Sequence, residues 1–504
     1  VRNFMLRLNY LWHGIQPAEM AQKGLSDPNL AAITFSSVVT DSRDAGSGTL
    51  FVALPGEKTN GHNFLAQVAT QGAQGAIVQR SEMEAWLALL ATSERPWFVL
   101  DSAKTPEIPL EFCTPETFFL LCVDDSLKAL HCLAQYHRQQ ITPTLIAVTG
   151  SVGKTSTKEL VATVLQQRFL TLKNKRSFNS EITVPTTILE ITPAHQVAVL
   201  ELGMWAPGEI HFLASLAQPK IGIITNIGPS HLERMGSMEA ITNAKAELVE
   251  ALPTDGFALL NADDQRVASF AERTQAQVVR YGQNSAADVR AELIEQRGLA
   301  GIKFQVRCKN LFPQLQGETV YQLTVPFPGR HSVYTALAGI TAGLVLGLGW
   351  AEIAAGLQDQ TAENRIRVLQ AGTAALPYTV IDDTYNASPV STIAALDLLA
   401  ELDGQRLVVL GDMLELGAVE EQAHRVVGQR AAEVAHKLLC VGPKARWIAE
   451  EAQACGFPAA QLTTVDHNSA AISALPNLLC PGAYVLVKGS RGAAMEQIVT
   501  ALTT

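Results

Sequence analysis

The chain has 504 residues, too many for a single hydrophobic core, and because domains usually hold roughly 100–200 residues, about three are expected. With 47% hydrophobic and 17% charged residues, and with 36 Gly and 23 Pro scattered without period, its composition excludes a disordered or collagen-like chain. A formal charge of −10 excludes a chain-wide electrostatic footprint for nucleic acid or an anionic membrane, so any anionic ligand must be met locally.

In chain order, Arg2, Arg7 and His13 interrupt the apolar positions of the opening VRNFMLRLNYLWHGIQ, which leaves no continuous apolar region for a secretory signal. From Phe35 to Val78, short apolar runs (LFVAL at 50–54, GAIV at 75–78) alternate with turn-rich stretches, the pattern of a small mixed α/β domain. Residues 81–125 carry Pro96, Pro106, Pro109 and Pro115 and read as the periphery of that domain plus a linker. A helix bearing Leu127, Leu130 and Leu133 then leads into LIAVTG at 145–150, a continuous apolar run ending in glycine, and helical sequence follows from Lys154 to about Phe169. Further buried strands are expected at Val197–Leu200 and Ile221–Thr225, so the middle of the chain reads as a doubly wound parallel sheet.

Ser332–Ala351 contains no charge and spaces Gly339, Gly343 and Gly347 by four, as a packed transmembrane helix would. The absence of a second span and the presence of Thr335 and Thr341 favour a buried helix of an α/β core instead. Beyond about Gln360 the alternation restarts with YTVID, a helix from Val390, RLVVLGD, a helix from Glu420, LLCVG, another helix, AYVLVKGS and a last helix from Ala493. The expected architecture is therefore α/β with three domains: a small mixed domain (1–123), a central phosphate-loop ATPase domain (124–360) and a C-terminal Rossmann-like domain (361–504). Seven cysteines, odd in number and without CxxC spacing, encode neither a disulfide framework nor a zinc site and fit a reducing cytoplasm.

The sharpest chemical signal is TGSVGKTST (149–157) between the expected strand and helix. Backbone amides of Gly150, Ser151, Val152, Gly153 and Ser156 can wrap a triphosphate, Lys154 can reach its β- and γ-phosphates, and the Thr155 hydroxyl is placed for Mg²⁺. The usual pattern wants a glycine where this chain has Val148; its first glycine, Gly150, comes two residues later. Glu201 closes the run VAVL, where a metal-binding acid or a solvated strand end would both fit. His231 in TNIGPSHLE follows another strand, at the end of the sheet where ligands bind, or is simple polar surface. Lys245 falls on the apolar face that Ile241, Ala244, Leu248, Val249 and Leu252 share at about 100° per residue. It either snorkels along the core edge or is a buried amine with a lowered pKa, nucleophilic enough to react with carbon dioxide.

TGSVGKTST, ELG at 201–203, TNIGPSHLERMGS, the lysine of AKAE, NRIR and DDTYNASP together resemble the Mur ligase family of ATP-dependent amide-forming enzymes, from about Asp41 to the C-terminus. FNSEITVP at 178–185, GDMLELG at 411–417 and VKGSR at 487–491, with no DNPR motif, resemble the branch that joins D-alanyl-D-alanine to UDP-N-acetylmuramoyl-tripeptide in peptidoglycan synthesis. The resemblance implies a cytoplasmic, monomeric enzyme using ATP and Mg²⁺ through an acyl phosphate, with no nucleic acid or membrane partner. It implies metal binding at Thr155, Glu201, His231 and a carbamylated Lys245, with Asn179 near nucleotide and substrate. It also implies Arg365 approaching the γ-phosphate, Asp383, Tyr385 and Asn386 completing the ATP pocket, and Asp41, Ser42 and Arg43 facing the UDP-sugar.

Several positions depart from the family pattern: Ser332 and Thr335 stand where asparagines are usual, and Thr183 and Asn364 where glycines are usual. Alternatives are a diaminopimelate-adding, lysine-adding or folylpolyglutamate-type ligase of the same family, or a nucleotide switch. A switch specific for guanine would need NKxD, and NKRS at 174–177 ends in Ser177.

Overall fold

The computed structural model describes residues 5–15, 32–56, 59–91, 93–104, 108–309, 311–312, 317–359 and 366–504. They fall into two compact units, one of residues 1–145, 174–202 and 212–218, the other of 146–173, 203–211 and 219–504.

The first unit is built on a five-stranded parallel sheet in the order Ser37–Val39, Thr49–Val52, Gly75–Gln79, Phe118–Val123, Trp97–Asp101. Residues 81–125 are therefore not periphery. They supply the helix Met83–Leu90 and two strands, and Phe118–Val123 is buried along its whole length between two neighbours. Pro96, Pro109 and Pro115 lie outside the strands, whereas FFLLCV is the unbroken apolar run that a strand covered on both faces needs. Leu8–Ile15 forms a helix whose Leu8, Leu11, Trp12 and Ile15 are buried, and its Gly14 abuts Leu133 of the helix Ser126–Gln140. The Tyr10 hydroxyl meets His137 Nδ1 at 2.8 Å, and His137 Nε2 lies 2.7 Å from the Ile191 carbonyl oxygen, so the buried imidazole has both nitrogens partnered.

In the second unit the larger sheet places Ile221–Ile224 beside Thr144–Thr149, followed outward by Phe257–Asn261, Gln277–Gly282 and Val289–Gln296, all parallel. Ile302–Cys308 and Thr319–Val325 then extend it as an antiparallel edge. The doubly wound reading thus holds for the centre and gains a meander that it did not anticipate. Ile302–Cys308 alternates in burial, unlike the continuous apolar centre, as a strand covered on one face does, and the outermost strand Thr319–Val325 is buried only at Leu323 and Val325.

The charge-free run is split into the helices Ser332–Val345 and Trp350–Gln358 by a turn in which Gly347 takes φ +83°. No helix among the described residues is long and apolar enough to cross a membrane. Its small residues let backbones approach: a Cβ on Gly339 would sit 3.5 Å from Val164, and one on Gly356 only 2.4 Å from the Val164 Cα. Both helices thereby close on Lys154–Gln166, the helix that opens at the phosphate loop.

A six-stranded sheet completes the second unit, ordered Arg367–Thr373, Leu376–Asp383, Ala483–Lys488, Arg406–Gly411, Lys437–Val441, Leu462–Val465. Only the first strand is antiparallel. Separate apolar clusters cover its two faces, one around Leu396, Val408, Val427 and Ile448, the other around Val380, Val409, Val485 and Ile498. Each such fully buried Val, Leu or Ile contributes about 1.5–3 kcal/mol. The last helix begins at Glu496, after a short 3-10 turn at Arg491–Ala493, rather than at Ala493.

Candidate active site

The apolar strand Thr144–Thr149 stops at Gly150, whose φ of +146° and lack of a side chain are both required, since a Cβ there would lie 1.9 Å from Thr225 Oγ1. The loop is sewn to the segment after the next strand. Val152 N–H donates to Asn226 Oδ1 (2.9 Å), and the Asn226 side-chain amide and the Thr225 hydroxyl both donate to the Val152 carbonyl (2.9 and 2.7 Å). Ser151 N–H donates to the Asn226 carbonyl, and Gly228 N–H donates to Ser151 Oγ. Gly153, at φ +83°, turns the chain into the helix Lys154–Gln166, with Thr155 buried in its first turn. The result is a pre-shaped, glycine-walled cradle at a helix N-terminus, fit for phosphate oxygens. Gly150→Ala is expected to weaken nucleotide binding at least about tenfold through loop strain on the order of 1–3 kcal/mol, measured by titration with a fluorescent ATP analogue; parent-like affinity would contradict it.

Two lysines converge on one acceptor. Lys154 Nζ donates to the Gly150 carbonyl at 2.8 Å, and Lys245 Nζ, from the helix Met238–Glu250, donates to the same oxygen at 2.9 Å. Lys245 is only 2% exposed, so it does not snorkel. Burial first, and the charge of Lys154 second, hold its pKa well below the usual lysine range, which favours the neutral amine.

His231 sits at φ +59° and approaches Glu415 Oε2 through Nδ1 (2.7 Å). Burial, Lys154 and Lys245 push its pKa down while Glu415 opposes them. Glu415 is itself in the left-handed region at φ +65°, and its carbonyl accepts from Glu233 N–H. The GDMLELG segment thus lies against the TNIGPSHLE segment. Sequence reasoning passes over Glu415 as a site residue, and its only signal is membership in that motif.

Three adjacent strand ends of the six-stranded sheet gather the later motifs. Lys488 Nζ donates to Asp383 Oδ2 (2.6 Å) and to the Asn386 carbonyl (2.9 Å), both side chains being buried. Ser490 Oγ accepts from Leu414 N–H, and the Arg491 guanidinium lies 5.3 Å from the centre of the Tyr385 ring. Asp383, Tyr385 and Asn386 therefore share one surface, organised by Lys488, a residue that sequence reasoning did not assign. Arg365 lies outside the described residues.

In the first unit, Glu201 ends the strand Val197–Glu201 fully buried, which excludes the solvated strand end. Its Oε1 accepts from Asn179 Nδ2 at 2.8 Å, and its N–H donates to Asn174 Oδ1 at 3.0 Å. Asp41 caps the short 3-10 turn Ser42–Asp44, and the Arg43 guanidinium holds the Asp41 carboxyl down at about 2. Arg43 remains largely exposed while paired with Asp41.

Among the described residues no group of three or more His, Cys, Asp or Glu side chains forms a ready-made metal cage. The Thr155 hydroxyl, in the first turn of the helix that follows the loop, is a hard oxygen donor of the kind Mg²⁺ takes beside phosphate oxygens. The donor chemistry of the loop and of its lysines suits a nucleoside triphosphate carried with that ion.

Comparison with known proteins matches residues 148–343 to the Mur ligase middle domain and residues 364–491 to the Mur ligase glutamate ligase domain. The chain is 34% identical to the UDP-N-acetylmuramoyl-tripeptide–D-alanyl-D-alanine ligase of Escherichia coli (strain K12) over 476 residues, 94% of each chain. It is 31% identical to the enzyme of the same name from Bacillus subtilis (strain 168), over 96% of each. A crystal structure of MurF from Acinetobacter baumannii superposes with a TM-score of 0.78 at 30% identity, covering 100% of this chain and 99% of that one.

Proposed function

Because the chain belongs to the Mur ligase family, we propose that it is the ATP-dependent ligase that joins D-alanyl-D-alanine to UDP-N-acetylmuramoyl-tripeptide, yielding the muramoyl-pentapeptide precursor of peptidoglycan, ADP and phosphate. The observation that carries the reading to chemistry is the pinned phosphate loop, with Lys154 and Lys245 meeting at the Gly150 carbonyl. The domain roles follow: residues 1–123 take the UDP-sugar, 124–360 the ATP, and 361–504 close over the reacting groups. We place it as a monomer working in the cytoplasm, a compartment in which its seven free thiols stay reduced.

A carboxylate is a poor acyl donor, so the γ-phosphoryl group of ATP is passed to the tripeptide carboxylate to form an acyl phosphate. The backbone amides of Gly150–Ser156 hold the phosphates in line, and Lys154, released from its loop carbonyl, neutralises charge on the transferred group. Mg²⁺, when bound, would supply further charge neutralisation, held by Thr155, Glu201 and His231. The neutral Lys245 amine can combine with carbon dioxide, releasing a proton and leaving a carbamate whose negative charge offsets that of Lys154. Asn179 holds the Glu201 carboxylate in place. Asp383, Tyr385 and Asn386, with Arg365, face the nucleotide, and Asp41, Ser42 and Arg43 the UDP-sugar. The dipeptide amine attacks the acyl carbonyl, a tetrahedral intermediate forms, and phosphate leaves. Exclusion of water protects the acyl phosphate while this happens.

ADP release measured with each amine and its matching carboxylate substrate tests the reading: UDP-muramoyl-tripeptide with D-alanyl-D-alanine, UDP-muramoyl-alanyl-glutamate with diaminopimelate or lysine, and a folate with glutamate. Turnover with D-alanyl-D-alanine and formation of the pentapeptide are expected. Turnover with diaminopimelate, lysine or glutamate alone would move the chain to another branch of the family, and hydrolysis indifferent to both substrates would make it a nucleotide switch.

A further inference from the structure

Next to His231 stands an arrangement that the ligase chemistry above leaves unused. Trp205 is exposed (47%), and its ring centre lies 5.5 Å from that of His231. The Arg234 guanidinium lies over the same indole, 4.5 Å from the ring centre. The platform is rigidly mounted. Trp205 N–H donates to Glu209 Oε2 at 2.5 Å, while Gly208 and His211 N–H groups donate to the two carboxylate oxygens of Glu247 at 2.8 and 2.9 Å. Glu247 belongs to the same helix as Lys245, so the Trp205 loop is fixed to the helix that carries the buried amine.

Arg234 follows His231 within one turn of chain, in the short helix Leu232–Met235. Among the described residues no carboxylate pairs with it, whereas Arg168, Arg273, Arg307 and Arg425 each hold a glutamate. Stacking occupies the face of a guanidinium and leaves its in-plane N–H donors available, the geometry that grips a carboxylate through two parallel hydrogen bonds. The indole lowers the entropy lost when the long side chain is used, because the side chain is already held in place.

We infer that Arg234, presented on Trp205, is a specificity residue that binds a non-reacting carboxylate of a peptide substrate. The inference rests on the ligase reading, in which three carboxylates of this chemistry are available: the C-terminus of the incoming dipeptide, the free carboxylate of the glutamyl residue within the tripeptide, and the side-chain carboxylate of the third residue when that residue is diaminopimelate.

Steady-state ADP release by the parent, Arg234→Ala, Arg234→Lys and Trp205→Ala chains separates the possibilities. Arg234→Ala is expected to raise the KM of one peptide substrate by about ten- to a hundredfold, the worth of a hydrogen bond to a charged group, with the KM for ATP unchanged and kcat within a few-fold of the parent. Trp205→Ala moves the same KM in the same direction, and Arg234→Lys recovers part of the loss. If the dipeptide carboxylate is the ligand, the parent discriminates against D-alanyl-D-alaninamide and Arg234→Ala does not. If the third-residue carboxylate of the tripeptide is the ligand, the lost discrimination is between diaminopimelate- and lysine-containing substrates; if the glutamyl carboxylate is, the KM rises equally for both. Unchanged KM values for both peptides in an active Arg234→Ala chain, or a fall in kcat alone, would overturn the inference and leave the ligase reading intact. A parent chain inert with every peptide pair would overturn both.

Discussion

Replacing Lys245 by alanine is expected to lower kcat on the order of a hundredfold, as loss of a group that orients a metal site does, with part of the activity restored by acetate or formate. The expectation follows from where the amine sits. It is buried, shares the Gly150 carbonyl with Lys154, and has its pKa driven down by desolvation and by that neighbouring charge. Two ammonium groups crowded on one carbonyl are a costly arrangement; one neutral amine beside one ammonium is better, and a carbamate beside an ammonium is better still. The small-molecule rescue separates roles. Recovery with short carboxylates, and none with ethylammonium, identifies a missing anion. Recovery with ethylammonium alone identifies a missing cation that merely tethers the loop. Parent-like turnover of Lys245→Ala would dismiss both. Mass spectrometry of the parent under carbon dioxide, after trapping of the carbamate as a methyl ester, provides a readout independent of turnover.

How much of this was legible in the residues differs from place to place, for physical reasons. Continuous apolar runs ending in glycine, such as LIAVTG, announced buried parallel strands because both faces are covered, and the phosphate loop was readable because it must join such a strand to a helix. Lys245 was legible as an oddity because a charge on an apolar helix face breaks the helical period, and the structure resolves its two readings in favour of burial. FFLLCV at 118–123 carries an equally clear apolar run, but four prolines in the preceding stretch drew attention away from it. Glu415 and Lys488 could not be found by pattern. Each is an ordinary charged residue in its own segment and gains meaning only from a partner far along the chain, His231 in one case and Asp383 in the other. The Arg234–Trp205 stack is hidden for the same reason, since nothing local tells an arginine which ring it will cover.

Lys488→Ala is expected to produce the largest loss of stability of any single substitution considered, about 3–5 kcal/mol, the usual result of leaving one member of a buried ion pair alone. Lys488 is 2% exposed and ends a strand in register with Asp383 on the neighbouring strand, and its ammonium donates once to the Asp383 carboxylate and once to the Asn386 carbonyl. Without the ammonium, Asp383 must either keep an uncompensated charge out of water or take up a proton, and the loop to Asn386 loses its anchor. A fall in Tm of roughly 10 °C is expected for the transition that reports the six-stranded sheet, followed by near-UV circular dichroism. The double substitution Asp383→Asn with Lys488→Met removes both charges at similar volume and should regain most of that stability, because the penalty arises from the unpaired ion and not from the missing pair. It should not regain turnover, since positions 383 and 386 then present a neutral, relaxed surface to the nucleotide. A Lys488→Ala chain within about 1 kcal/mol of the parent would mean that water reaches Asp383 and that the pair does not organise this surface. A double variant as active as the parent would instead remove Asp383 from the nucleotide site while leaving the structural role of the pair in place.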